Sequence, residues 1–235
     1  MNMEVDYMIY NNIVEGIFLN RPNRFIANVI IDGKKEIAHV KNTGRCKEIL
    51  IEGTKVFLEK SNNPNRKTKY SVISALKGDT LINIDSQVPN TVVYESINNG
   101  RIHNFKYITF LKREVKYNDS RFDLYFETKK KKGFIEIKGV TLEVNGLSMF
   151  PDAPTTRGTK HVKEMIQAVQ EGYCGYIFFL IQIDNINKFT PNANMDKDFS
   201  DALIQAKRSG VEILAYNSIV TPTEIAIGEK VQLII

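Results

Sequence analysis

Cysteine is scarce in this chain. There are two, Cys46 and Cys174, far apart and with no Cys or His near them at zinc-ligand spacing, so neither a disulfide scaffold nor a structural zinc site is expected. Long hydrophobic runs are missing too. The longest apolar stretch, Cys174 to Ile183, is about half of the roughly 20 residues that a membrane-spanning helix needs. No secretory leader is visible: Met1-Asn2-Met3-Glu4-Val5-Asp6 puts acids where a leader has a basic start and an apolar core. These absences lead to the expectation of a soluble, cytoplasmic protein with no membrane partner. Acids are absent from Lys60 to Gly78, a window that holds Lys60, Arg66, Lys67, Lys69 and Lys77. Internal repeats and low-complexity linkers are not seen.

What is present is globular. Of 235 residues, 43% are hydrophobic and 25% charged, close to usual values, so a packed core can form and global disorder is excluded. The 32 Lys+Arg against 27 Asp+Glu give a formal charge of +5, which permits nucleic-acid binding without requiring it. A second basic run is Lys129-Lys130-Lys131-Lys132. Alone, either run reads as a solvated turn.

The spacing predicts short strands over Ile13 to Asn20, Arg24 to Ile31, Glu36 to Lys41, Thr54 to Glu59, Tyr70 to Leu76 and Thr80 to Ile84. Asp32-Gly33 is a hairpin signal, and Thr43-Gly44 opens a short connection through Leu50, for which a helix is one option. Residues 1–86 are therefore expected to form a small OB-like β-barrel. Such barrels bind single strands through a basic groove with stacked aromatics. Phe25, Phe57 and Tyr70 are candidates, although aromatics at strand spacing more often enter the core. Gln87-Val88-Pro89-Asn90 marks a boundary, and 87–235 is expected to be a mixed α/β domain. A helix is predicted over Pro89 to Asn98 and strands over Lys106 to Tyr117, Arg121 to Glu127 and Phe134 to Val140. The clearest helix is Thr156 to Glu171, with Val162, Met165, Ile166 and Val169 at helical spacing and Gly172 as its stop. A buried strand over Tyr176 to Ile183, a helix over Lys197 to Arg208 and a strand over Val211 to Tyr216 follow.

The chemistry-bearing stretch runs from Ser120-Arg121-Phe122-Asp123 through the lysine turn to Ile135-Glu136-Ile137-Lys138-Gly139. A hairpin turn centred between Lys129 and Lys130 sets Asp123 opposite Glu136, with Cβ atoms about 4.5–5.5 Å apart. Alternation puts Glu136 and Lys138 on one face and Ile135 and Ile137 on the other. Two facing carboxylates repel, and a divalent Mg²⁺ or Mn²⁺ between them removes that cost. A lysine on the same face can orient a water and stabilise phosphate charge, as metal-assisted phosphodiester hydrolysis requires. The plain alternative is a hairpin with an exposed polar face.

The order of elements, with Asp123 on one hairpin strand and Glu136-x-Lys138 on the next, resembles the PD-(D/E)XK nuclease superfamily. More specifically, the chain resembles the sugar fermentation stimulation protein family of bacteria and archaea. The match is carried by Asn42-Thr43-Gly44-Arg45, Asn63-Pro64-Asn65-Arg66-Lys67, Gln87-Val88-Pro89-Asn90, Arg113-Glu114-Val115, Ser120-Arg121-Phe122-Asp123 and Glu136-Ile137-Lys138-Gly139-Val140-Thr141-Leu142. The most specific block is Phe150-Pro151-Asp152-Ala153-Pro154-Thr155-Thr156-Arg157-Gly158-Thr159-Lys160-His161. The resemblance implies an amino-terminal OB-like barrel, a restriction-endonuclease-like carboxy-terminal domain, DNA binding with little sequence preference and a link to regulation of sugar (maltose) metabolism. It also implies an acid from the first helix of the second domain, a place Glu95 fits. The family's usual His-Cys-Pro-Asn-Thr-Gly-like stretch is here His39-Val40-Lys41-Asn42-Thr43-Gly44, a departure confined to the barrel.

Lys160, His161 and Glu164 open the main helix off its apolar face and could approach phosphate or metal beside Asp123 and Glu136. Asp152 is either a further carboxylate or a turn residue. The expected catalytic set is Asp123, Glu136, Lys138 and Glu95, with Asp123 and Glu136 holding Mg or Mn. The expected DNA contacts are Arg66, Lys67, Lys69, Arg121, Arg157, Lys160 and His161. Two functions stay open, a non-specific DNA-binding protein and a Mg/Mn-dependent endonuclease; a weaker third is a regulator that binds another protein. A homodimer is left open.

Overall fold

The computed structural model describes residues 7–42 and 44–235. The acidic start Met1–Asp6 and Thr43 lie outside the described residues.

The first domain is a barrel of β2 (Ile13–Asn23), β3 (Ile26–Ile31), β4 (Lys34–Val40), β5 (Lys55–Lys60) and β6 (Tyr70–Lys77), after a short β1 (Met8–Ile9) that belongs elsewhere. The strand order is β4-β3-β2-β5-β6, and β4 also pairs with β6 in parallel, through Ala38↔Tyr70, His39↔Ser71 and Val40↔Val72, which closes the barrel. Closure removes the open sheet edge that a five-stranded ribbon would expose. Alternation shows best in β3, where Ala27, Val29 and Ile31 are buried between half-buried neighbours. The β3–β4 turn is Asp32-Gly33, both at positive φ (49° and 75°), the conformation a tight hairpin needs. Residues 47–50 make turns, with no helix assigned there among the described residues. A last strand, β7 (Thr80–Asn83), pairs with β6 and leads out of the barrel.

The second domain is built on a twisted mixed sheet. After α1 (Val88–Asn98) come β8 (Phe110–Tyr117), β9 (Ser120–Glu127), β10 (Lys132–Val140), β11 (Leu142–Val144), β12 (Leu147–Phe150), α2 (Thr156–Gln170), β13 (Cys174–Ile181), β14 (Lys188–Pro191), α3 (Lys197–Arg208), β15 (Glu212–Val220), β16 (Glu224–Lys230) and β17 (Gln232–Leu233). The main sheet has the order β1-β16-β15-β13-β10-β9-β8, with β10, β13 and β15 parallel at its centre. A smaller sheet, β11-β12-β14-β17, lies beside it. One face of the main sheet takes α1, whose Val88, Val92, Val93 and Ile97 pack with Ile135, Ile137, Phe178 and Leu180. The other face takes α2 and α3, with Val162, Met165, Ile166, Phe199 and Leu203 against Ile177, Phe179 and Ile181. Parallel central strands covered on both faces read as continuous apolar runs, as β13 does.

The two domains are not beads on a linker. The barrel core and the α2/α3 face belong to one continuous hydrophobic cluster, joined through Ile82, Ile84, Val140 and Ile183. Gln182 donates to Asn83 Oδ1 at 2.8 Å and to the Asp85 carbonyl at 2.9 Å, and Lys77 pairs with Glu143 at 2.9 Å. Among the described residues, no helix is long and apolar enough to cross a membrane.

The predicted strand over Lys106 to Tyr117 begins only at Phe110, because a short 3₁₀ turn over His103–Phe105 buries Phe105 first. β1, β11, β12, β14, β16 and β17 are additions to the elements expected from sequence.

Candidate functional site

The site is laid down by hairpin register. β9 and β10 pair as Glu127↔Lys132, Phe126↔Gly133, Tyr125↔Phe134 and Leu124↔Ile135, the register that the lysine turn predicts. The next step would set Asp123 against Glu136, but the ladder ends before it. There the Ile137 N–H donates to Asp123 Oδ2 at 2.7 Å, so the carboxylate stands where a strand carbonyl would accept. Asn90, in the first turn of α1, donates to Asp123 Oδ1 at 2.8 Å. Burial and the neighbouring Glu136 charge push the Asp123 carboxyl up to about 6, against the pull of Ile137 N–H, Lys138 and Asn90. The two acids therefore sense each other.

Glu136 is 2% exposed. Its Oε1 accepts from Lys138 Nζ at 2.5 Å and from His161 Nδ1 at 2.5 Å. Burial would raise its pKa, but Lys138 and His161 outweigh that and hold it below the ordinary range. Its other oxygen, Oε2, is buried without a hydrogen-bond partner. His161, expected off the apolar face of its helix, is buried because it turns toward Glu136 and meets the Phe122 ring edge-on. Arg157 Nε lies 3.4 Å from His161 Nε2.

Beyond His161 lies a cavity of about 400 Å³ lined by Lys116, Asp119, Ser120, Arg121, Arg157, Lys160 and His161. Four of the seven residues singled out from sequence as DNA contacts, Arg121, Arg157, Lys160 and His161, thus share one cavity. Arg66, Lys67 and Lys69 sit on the barrel, with Lys67 and Lys69 exposed and Arg66 donating to Ser71 Oγ at 2.7 Å. Glu95 is placed apart from the acid pair. Its carboxylate is 51% exposed and 3.6 Å from Arg113, while Asn90 is the α1 side chain that reaches Asp123. Asp152 also lies elsewhere, accepting from the Arg45 N–H at 3.0 Å at a second cavity of about 370 Å³ between the domains. Of the three aromatics considered for stacking, Phe57 is buried and Tyr70 packs on the core, while Phe25 is 46% exposed with Arg24 5.2 Å over its ring. Cys46 and Cys174 are free thiols.

Sequence reasoning did not single out Lys116 or Asp119, and it quoted Asn90 and Ser120 within longer blocks without giving either a role. A register count across the β8–β9 hairpin, like the one made across β9–β10, would have found Lys116 opposite Arg121. Asn90 had no local signal beyond its place in the block Gln87-Val88-Pro89-Asn90.

The fold and this cluster define a two-domain protein in which a closed OB barrel is fused to a mixed α/β domain that carries a buried acid–lysine–histidine group beneath a basic cavity. The chain belongs to the sugar fermentation stimulation protein family. The family model described as "Sugar fermentation stimulation protein RE domain" matches residues 87–224, and the "SfsA N-terminal OB domain" matches residues 19–84. A "Sugar fermentation stimulation protein homolog" of Alkaliphilus oremlandii is 56% identical over 231 residues, covering 96% of this chain and 98% of its own. The homolog from Clostridium beijerinckii is 53% identical over 228 residues, covering 97% and 100%. A solved structure, "The structure of Pyrococcus Furiosus SfsA in complex with Ca2+", is similar with a TM-score of 0.90 at 28% identity, covering 99% of this chain and all of that one.

Proposed function

We propose that the protein binds DNA through its phosphate backbone, with little sequence preference, beside a divalent cation held by Asp123 and Glu136. The observation that carries this reading is the adjacency of a buried acid pair with one open carboxylate oxygen, Glu136 Oε2, and a cavity rich in cations. Glu136 Oε2 has no partner, and Asp123 is pushed up to about 6 with Glu136 among the causes. Lys138 and His161 occupy Glu136 Oε1, so the open oxygen and the raised Asp123 carboxyl are what a cation between the two acids would satisfy. All-oxygen donors suit Mg²⁺ or Mn²⁺. Among the described residues no group of three or more His, Cys, Asp or Glu is gathered as a ligand set, so the protein would supply two carboxylates. Mg²⁺ commonly binds that way, completing its shell with water and phosphate oxygens. The Ca²⁺ in the Pyrococcus furiosus structure is another oxygen-seeking cation and supports the reading.

Phosphate contacts position a duplex without reading its sequence. Arg121, Arg157 and Lys160 would make them in the second domain, and Arg66, Lys67 and Lys69 on the barrel. DNA affinity is expected to fall steeply with added salt, and the double substitution Arg66→Glu/Lys67→Glu should weaken every DNA alike. Salt-independent affinity, or strong preference for one operator, contradicts the proposal. Regulation of sugar metabolism, as the family resemblance implies, would also require choosing one gene's DNA over another's, which such contacts do not do.

A second reading, a Mg/Mn-dependent endonuclease, is favoured by one observation: Lys138 Nζ sits on Glu136 in the buried site. A bound cation would polarise a phosphate oxygen and make a bound water more acidic. Lys138 would orient that water, and Arg157 and Lys160 would hold the phosphate. The test is cleavage of several DNA forms with Mg²⁺ or Mn²⁺, comparing wild type with Asp123→Ala and Glu136→Ala. Activity that survives both substitutions belongs to a contaminant, and the endonuclease reading then goes.

A further inference from the structure

We infer that the cavity walled by Lys116, Arg121, Arg157 and Lys160 is a binding site for a phosphomonoester, the terminal phosphate of a DNA strand. This rests on the DNA-binding reading above and deepens it. The first observation is convergence. Four cations from β8, β9 and the first turns of α2 line one concavity of about 400 Å³, and Asp119 is the one acid among its lining residues. A volume of that size suits one small ligand group, not a length of duplex.

The second observation is register. In the β8–β9 hairpin Lys116 lies directly opposite Arg121, and the next pair, Tyr117↔Ser120, closes the turn. Like charges facing each other across an antiparallel pair are destabilising. Neither cation is well neutralised: the carboxylate near Arg121 is Glu114, 3.5 Å away in a pair exposed on both sides, and such pairs contribute little. Lys160 is 3.6 Å from Glu164, again a loose pair. The cations repel one another, and an anion seated among them would offset that repulsion.

Charge selects the anion. A phosphomonoester carries about −1.5 to −2 at neutral pH, whereas each backbone diester carries one negative charge. A point-like cluster of cations therefore favours a strand end over a passing backbone. Position selects the role. His161 lines this cavity and bonds Glu136 on its other side, so a terminal phosphate seated here lies one side chain away from the acid pair.

The experiment is fluorescence anisotropy with one short single-stranded oligonucleotide made in three forms: 5′-phosphorylated, 3′-phosphorylated and unphosphorylated. Chelator is present throughout, so that neither cations nor cleavage contribute. Wild-type protein is expected to bind one phosphorylated form about tenfold more tightly than the unphosphorylated strand, as one or two added charge-assisted contacts would give. Inorganic phosphate should compete away that increment. In Lys116→Ala/Arg121→Ala the ratio should fall toward one; both side chains are exposed, and a circular dichroism melt checks that the variant is folded. Equal affinity for all three forms overturns the inference and leaves DNA binding standing, as does a ratio that persists in the folded double variant. Binding of inorganic phosphate with no preference among the strands also overturns it. If no form binds, this inference is overturned, and the same titration with duplex DNA and Mn²⁺ decides the DNA-binding reading separately: no binding there ends that reading too.

Discussion

At the scale of single residues, Asp123 is costly to the fold that contains it. It is held at about 6, up from the ordinary 3.8, so the native state keeps its proton to higher pH than the unfolded chain does. Stability should therefore drop as pH rises from about 4 to about 6 and carry the full penalty above that. A shift of this size corresponds to roughly 2–3 kcal/mol. Asp123→Asn keeps an oxygen to accept from Ile137 N–H and removes the charge. In metal-free buffer its urea midpoint at pH 7.5 should be higher than wild type, with little difference at pH 3.5. The same substitution should weaken Mn²⁺ binding in a calorimetric titration. An equal gain at both pH values would show that the charge is not the cause. Lys138 has the opposite character. It compensates a Glu136 that is 2% exposed, and removing one partner of a buried pair costs about 3 kcal/mol. Lys138→Met should lower the melting temperature at pH 7.5 by several degrees; an unchanged melt would mean that His161 alone suffices for Glu136.

At the scale of elements, local pattern made some parts legible and non-local pairing hid others. The helix over Thr156–Gln170 could be read because Val162, Met165 and Ile166 repeat at its period and are buried, and because Thr155 caps it, its Oγ1 accepting from Gly158 N–H at 3.1 Å. The β9–β10 register could be counted from a lysine turn. The barrel was expected from its run of short strands, but the β4–β6 register that closes it could not be counted, since it joins strands far apart in sequence. Most of the small sheet was hidden for the same reason: Leu147–Phe150 is four residues long, and beyond its hairpin partner β11 it gains a neighbour only from the distant β14. One signal for it was present. Asn145 and Gly146 both have positive φ, 53° and 81°, and Asn-Gly between apolar residues is a strong hairpin sign. A Cβ on Gly146 would meet nothing within 4 Å, so Gly146→Ala tests backbone strain without a clash. It should cost about 1 kcal/mol, read as a fall in urea midpoint with an unchanged slope. No loss would mean that the turn readjusts freely. The Glu136–His161 contact was hidden in another way. Amphipathic spacing assigns a helix face by apolar residues, and a buried polar residue that answers a buried acid does not stand out in that pattern.

At the scale of the whole molecule, the question is whether the barrel and the α/β domain are two modules or one cooperative body. Composition and fold boundaries suggest modules; the contacts argue for one body. Ile82 and Ile183 form a bridge between the domains, and both are fully buried. The buried Gln182 amide serves two acceptors across the boundary, Asn83 Oδ1 and the Asp85 carbonyl. Lys77 also crosses it, donating to the Glu143 carboxylate at 2.9 Å. Splitting the domains would expose apolar surface and strand buried polar groups, each costing about 1–3 kcal/mol when left unpaired. The barrel and the sheet should therefore unfold together. Hydrogen exchange followed through a urea series should give the same midpoint for amides of the barrel strands and of the central strand Cys174–Ile181. Gln182→Leu, which removes the bridging donors while keeping the bulk, should move both midpoints down by the same amount. If only the barrel amides shift, or the wild type already shows two transitions, the domains are independent, and a joint DNA surface that spans them would have to be assembled by the DNA instead of being built into the fold.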